Sequence, residues 1–175
     1  MFRSRIFASV EVITSHRVEV SPQLHIIKHE DARNLTFPSD AVDLVVTSPP
    51  YLGMIDYALA NRLTYLWYGW SMKADREPEI GSRQKRNQRD ALPEYLQSMS
   101  LVTQQIVRVL RRGGYCAIVI GASRKYPHAA MELIEVFSRS LTKIVDPISR
   151  VPSRRRISER HGTDPIEYIC VFQKA

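Results

Sequence analysis

The stretch with the most chemical content is Thr47-Ser48-Pro49-Pro50-Tyr51, directly after the apolar run Val42 to Val46. Two consecutive prolines fix the backbone and remove two N–H donors, which leaves carbonyls that can only accept hydrogen bonds. Ser48 adds a hydroxyl oxygen and Tyr51 an aromatic ring. Such a turn suits an exocyclic amine, which has protons to donate. Accepting them discourages the nitrogen lone pair from delocalising into an attached base and frees it to attack an electrophilic methyl. In this reading Ser48 Oγ and the Pro49 carbonyl are the acceptors, Pro50 helps to fix the turn, and Tyr51 stacks on a base extruded from its helix. The plainer alternative is that Pro-Pro ends a strand and Tyr51 caps the core.

The surrounding pattern is that of an α/β protein. Leu24 to Lys28 reads as a strand ending at Glu30-Asp31, and Val42 to Val46 as a central strand buried on both faces. The spacing of Ile55, Leu59, Leu63 and Leu66 predicts a helix over Ile55 to Trp67, and residues 71–90 read as an exposed loop or frayed helix. A strong amphipathic helix is expected from Pro93 to about Arg111, capped by Gly113-Gly114, and a buried strand from Tyr115 to Ile120. A helix over Ala129 to Ser140 and strands at Leu141 to Val145 and Ile166 to Phe172 complete the series, with a basic loop between the last two. The order predicts a mostly parallel sheet with an antiparallel strand at the C-terminal end. In open sheets of this kind, ligands bind beyond the carboxyl ends of the strands, where Ser48 to Tyr51 would lie.

The chain has 175 residues, the size of a single domain, and no low-complexity linker or internal repeat divides it. A net charge of +7 points toward a polyanionic partner. No apolar stretch approaches the roughly 20 residues that span a bilayer, and no apolar core of a signal peptide follows the basic start, so a cytoplasmic location is expected. Cys116 and Cys170 lie in apolar runs and read as buried thiols of a reducing compartment. The five histidines have no metal-ligand spacing, so no metal is expected.

Asp43 to Tyr51 resembles the catalytic motif of the amino-methyltransferases that act on cytosine N4 and adenine N6 of DNA. The Ser-Pro-Pro-Tyr form looks most like the cytosine-N4 group. Tyr51 to Tyr57, Leu66-Trp67 and Ile80-Gly81-Ser82-Arg83 are similar to one branch of these methylases. The resemblance covers residues 25–175 and implies a class I, Rossmann-like methyltransferase sheet with S-adenosyl-L-methionine as cofactor. It also implies direct in-line transfer without a covalent enzyme intermediate, on DNA in preference to RNA. Asp31, followed by Ala32, matches the family's acidic position near the cofactor adenine, and Thr47 borders the same site. An aspartate after a strand is equally a turn or helix cap.

One family element is missing. The glycine-rich turn that takes the methionine part of the cofactor has no counterpart here, because the first glycine is Gly53. The N-terminal strands of the sheet are therefore expected to be incomplete. A second chain or second copy would complete the fold, although residues 1–20, which alternate apolar and polar in patches, are another candidate. A truncated or degenerate copy, binding nucleic acid or a partner without catalysis, is the competing interpretation. Two basic clusters, Arg83, Lys85, Arg86 and Arg89, and Arg154, Arg155 and Arg156 with Arg150 and Arg160, are expected in loops that reach phosphates.

Overall fold

The computed structural model describes residues 26–150 and 166–175. Strand β1 (Val42–Thr47) leads into three short helices, α1 (Tyr57–Ala60), α2 (Arg62–Tyr68) and α3 (Met72–Arg76), and a 3-10 turn (Arg83–Lys85). The long helix α4 (Ala91–Val109) then runs into β2 (Leu110–Gly121), followed by α5 (Ala129–Ser138), β3 (Thr142–Lys143), β4 (Ile148–Arg150) and β5 (Glu167–Gln173).

The core forms between one face of the sheet and the two longest helices. On α4, Tyr95, Met99, Val102, Ile106 and Val109 recur every three or four residues and are all buried. Tyr95, Met99, Val102 and Ile106 meet Cys116, Ile118 and Ile120 of β2, Cys170 and Phe172 of β5, and Leu133 and Phe137 of α5. Phe137 stacks on Phe172 with ring centroids 5.6 Å apart. Each such fully buried large side chain contributes about 1.5–3 kcal/mol relative to exposure, which makes this cluster the main stabilising unit.

The sheet is mixed, with the order β1-β2-β5-β3 and β4 also on β5. Among the described residues only β1 and β2 are parallel; β5 runs antiparallel to β2, β3 and β4. The expected mostly parallel sheet is thus corrected. Where one strand was expected at Leu141 to Val145, β3 covers only Thr142–Lys143, and β4 falls in the segment expected as a basic loop; Pro147, which has no N–H to give, lies between the two.

Further expectations change with tertiary context. Val42–Thr47 is paired on one side only, so among the described residues it is an edge and not a central strand. Val45 lies opposite Cys116 and faces the core, whereas Leu44 and Val46 lie opposite Tyr115 and Ala117 on the other face. Leu44 is 54% and Val46 72% exposed, so this apolar run is covered on one face and largely open on the other. Residues 26–28 form no strand, and the rest of the strand expected at Leu24 to Lys28 lies outside the described residues.

The helix expected over Ile55 to Trp67 breaks at Asn61, and Leu59, Leu63 and Leu66 are exposed. Gly113-Gly114 is no helix cap. Both glycines lie inside β2, where Gly113 has φ +72° and the register with β1 slips between Val42 and Leu44. The bulge places Gly113 N–H on the Lys174 carbonyl, and a Cβ at Gly114 would come within 3.1 Å of the Asp43 carbonyl oxygen.

Candidate active site

β1 and β2 are parallel and finish at the same edge of the sheet, Thr47 opposite Ile118 and Gly121 three residues further on. β5 starts at that same edge, with Glu167 opposite Gly121. The Ser48-to-Tyr51 turn leaves β1 at this point and meets residues from the other elements gathered there.

Each part of the turn is held separately. The Ser48 hydroxyl donates to the Val119 carbonyl over a long 3.4 Å, which leaves its lone pairs as acceptors. Pro49 is buried. The Pro50 carbonyl accepts from the Tyr95 hydroxyl at 2.9 Å, so the core helix grips the turn from below. The Tyr51 ring lies on Gly121, where a Cβ would come within 2.4 Å of the ring. Its hydroxyl donates to Glu167 Oε1 at 3.0 Å. Partial burial pushes the Tyr51 phenol above its ordinary value; the Ser48 hydroxyl lowers it and Glu167 raises it further.

The following loop is tied back on itself. Gly53 N–H donates to the Gly81 carbonyl at 2.8 Å, and Arg83 N–H to the Ile55 carbonyl at 3.0 Å. Gly81 has φ +65°, and its missing side chain gives room to the Tyr95 ring, 3.0 Å from an ideal Cβ. Asp56 is buried, caps α1 through Leu59 N–H at 3.0 Å, and takes Arg76 at 2.7 Å and 2.6 Å.

The first basic cluster is brought close to this loop. Arg86 lies over Gly53, and its carbonyl accepts from the Tyr126 hydroxyl at 2.7 Å. The Lys85 ammonium is engaged by the Glu77 carbonyl at 2.6 Å, whereas Arg83 and Arg89 are exposed. Arg154, Arg155, Arg156 and Arg160 lie outside the described residues.

Asp31 and Ala32 sit apart from Tyr51, in a turn closed by Arg33. The Asp31 carboxylate accepts from Arg33 N–H at 2.9 Å and from its guanidinium at 2.6 Å, and that pairing holds the carboxyl below its usual range. Asp31 lines an open cleft of about 440 Å³ with Glu30, Tyr57, Asn61, Tyr65 and Glu79. One Glu79 carboxylate oxygen accepts from Tyr57 N–H at 2.6 Å; the other is buried without a partner. Thr47 is half-buried at the end of β1, opposite Ile118. Among the described residues no group of His, Cys, Asp and Glu is placed to hold a metal ion, and no helix is long and apolar enough to cross a membrane.

Sequence reading missed Tyr95, Gly121 and Glu167. Tyr95 stands at a core position of its helix, where an aromatic carries no local functional signal. Glu167 lies 116 residues from Tyr51, and only the β2–β5 register joins them.

No family model and no curated protein matches the chain. Among solved structures it is similar to a candidate DNA modification methylase from Thermus thermophilus, at 20% identity and a TM-score of 0.47. That match covers 82% of this chain and 50% of the other, so the chain spans about half that protein's length. The Thermus protein was also determined with S-adenosyl-L-methionine, and that form matches at 22% identity and a TM-score of 0.44, over 82% of this chain and 51% of the other. A SAM-dependent methyltransferase from Methanosarcina mazei is similar at 13% identity and a TM-score of 0.43, over 84% of this chain and 66% of its own.

Proposed function

We propose that this chain carries the catalytic part of an S-adenosyl-L-methionine-dependent methyltransferase acting on the exocyclic amine of a DNA base, most specifically cytosine N4. The observation that supports this reading is the Ser48-to-Tyr51 turn itself. It is an acceptor-rich turn at the carboxyl end of β1, gripped through the Pro50 carbonyl by Tyr95. A substrate amine placed there would donate to Ser48 Oγ and the Pro49 carbonyl, which turns its lone pair toward the methyl. Tyr51 would stack on the base, and fixed positioning would supply most of the rate.

The cofactor, when bound, supplies a methyl activated by a sulfonium. The cleft beside Asp31 fits its adenosine part: Glu79 has a buried carboxylate oxygen without a donor among the described residues, and Tyr57, Tyr65 and Asp31 line the same space, with Ala32 next to Asp31 in the chain. The methionine part needs a glycine-rich turn that this sequence does not contain. We assign that turn to a second chain; a second chain or second copy would also complete the sheet, an association supported by β1, which among the described residues is paired on one side only, and by the exposed Leu44 and Val46. DNA phosphates would meet Arg83, Lys85, Arg86 and Arg89, and also Arg154, Arg155 and Arg156, in the cytoplasm.

Nucleoside mass spectrometry on DNA from a methylation-deficient host expressing the chain together with a partner chain that carries the glycine-rich turn tests this function. N4-methylcytosine is expected, and Tyr51→Ala should abolish it while the protein stays folded. Methylation that persists in both Tyr51→Ala and Ser48→Ala would remove the proposed site. The β1 edge, unpaired on one side among the described residues, also favours a second reading, a non-catalytic subunit of a split enzyme. No methylated base, with binding to nucleic acid intact, would select it.

A further inference from the structure

A tyrosine that receives a base must have its own ring held in place. Both oxygens of Glu167 are engaged: Oε1 accepts from the Tyr51 hydroxyl at 3.0 Å, and Oε2 accepts from Arg150 at 2.8 Å and 2.7 Å. Glu167 is cross-strand neighbour to Gly121 on one side and to Arg150 on the other. β2, β5 and β4 therefore converge on one rung, and the tyrosine lies across it. Gly121 leaves space for the ring, and the carboxylate fixes its tip.

We propose that Glu167, itself held by Arg150, is a positioning residue for Tyr51, setting the ring so that it receives an extruded base beside Ser48 and Pro49. The proposal rests on the amine-methyltransferase reading. A tyrosine at the lip of a sheet would otherwise sample several rotamers, and ordering it on substrate binding would cost entropy. The hydroxyl hold removes that cost in advance, as a catalytic platform requires. A role in the core does not account for it, because the buried cluster lies around Cys116, Ile118 and Phe172. The Glu167 carboxylate is largely buried, with its side chain 15% exposed, and Arg150 supplies the counter-charge that makes this tolerable.

The test uses Glu167→Ala and Glu167→Gln, with tyrosine labelled at 13Cζ and the Tyr51 signal assigned through its loss in Tyr51→Phe. Glu167→Ala should move the Tyr51 resonance and lower kcat by about ten- to a hundredfold, with KM for S-adenosyl-L-methionine unchanged. Glu167→Gln keeps an acceptor oxygen, so it should restore most of both. A Tyr51 resonance unmoved in Glu167→Ala overturns the contact, and an unchanged kcat with a moved resonance overturns the positioning role. A wild-type protein that transfers no methyl, with or without a partner chain, overturns the function and the stacking role together, whatever the resonance does.

Discussion

The Tyr95 hydroxyl donates to the Pro50 carbonyl at 2.9 Å, which joins the long core helix to the turn that ends β1. A Pro-Pro turn cannot be tied through its own amides, so an acceptor-to-donor contact of this kind is the way to fix it. Tyr95→Phe keeps the ring under Gly81 and deletes only the hydroxyl. It should cost about 1 kcal/mol of stability, measured by urea denaturation, and slow methyl transfer by more than that loss explains. Wild-type turnover in a destabilised Tyr95→Phe protein would show that the grip serves folding alone.

Gly121 works in the opposite way, by being small. A Cβ there would meet the Tyr51 ring at 2.4 Å, but the ring is a side chain that can swing away. Gly121→Ala should therefore cost only about 1 kcal/mol, yet remove Tyr51 from its seat and most of the activity with it. Thermal denaturation and single-turnover methyl transfer on the same sample separate the two effects. A fully active Gly121→Ala protein would mean that the ring position is irrelevant to the chemistry.

Asp56 holds the loop that follows the turn. It is buried, caps α1 and pairs with Arg76, so its replacement removes a cap and leaves a cation without its partner. Asp56→Ala should lose about 3 kcal/mol or more. Replacing the exposed Asp75, which accepts from the Tyr65 hydroxyl, should cost well under about 1 kcal/mol. Equal losses in chemical denaturation would refute the distinction.

These contacts also explain what could be read in advance. The long helix, the β2 strand and the turn that ends β1 were legible because each is a local pattern: apolar residues every three or four positions, an unbroken apolar run, and Pro-Pro. Leu59, Leu63 and Leu66 have the same helical spacing, yet the segment breaks at Asn61 and those residues remain exposed, because periodicity does not state what a face will meet. The direction of β5 depends on strand pairing between distant segments, and the Glu167–Tyr51 contact spans 116 residues. Asp31 was read as an acid after a strand, but residues 26–30 form no strand, and its bond to Arg33, a neighbour two residues away, suits a structural turn equally well.

The buried Cys116 thiol gives a prediction in alkali. Burial raises it from 9.0 to about 12, so at pH above 9 the unfolded chain ionises while the folded chain keeps its proton. The folded state then binds more protons than the unfolded one, and stability must fall as pH rises from about 9 toward 12. Burial raises the Tyr95 phenol above its ordinary 10.0 as well, and adds to the loss with the same sign from pH 10 upward. Cys116→Ala should flatten the first part of this decline while creating a small cavity that costs stability at every pH. Urea midpoints from about pH 7 to 11 for the two proteins should therefore converge as pH rises. Parallel curves would mean that Cys116 ionises as freely in the folded protein as in the unfolded chain.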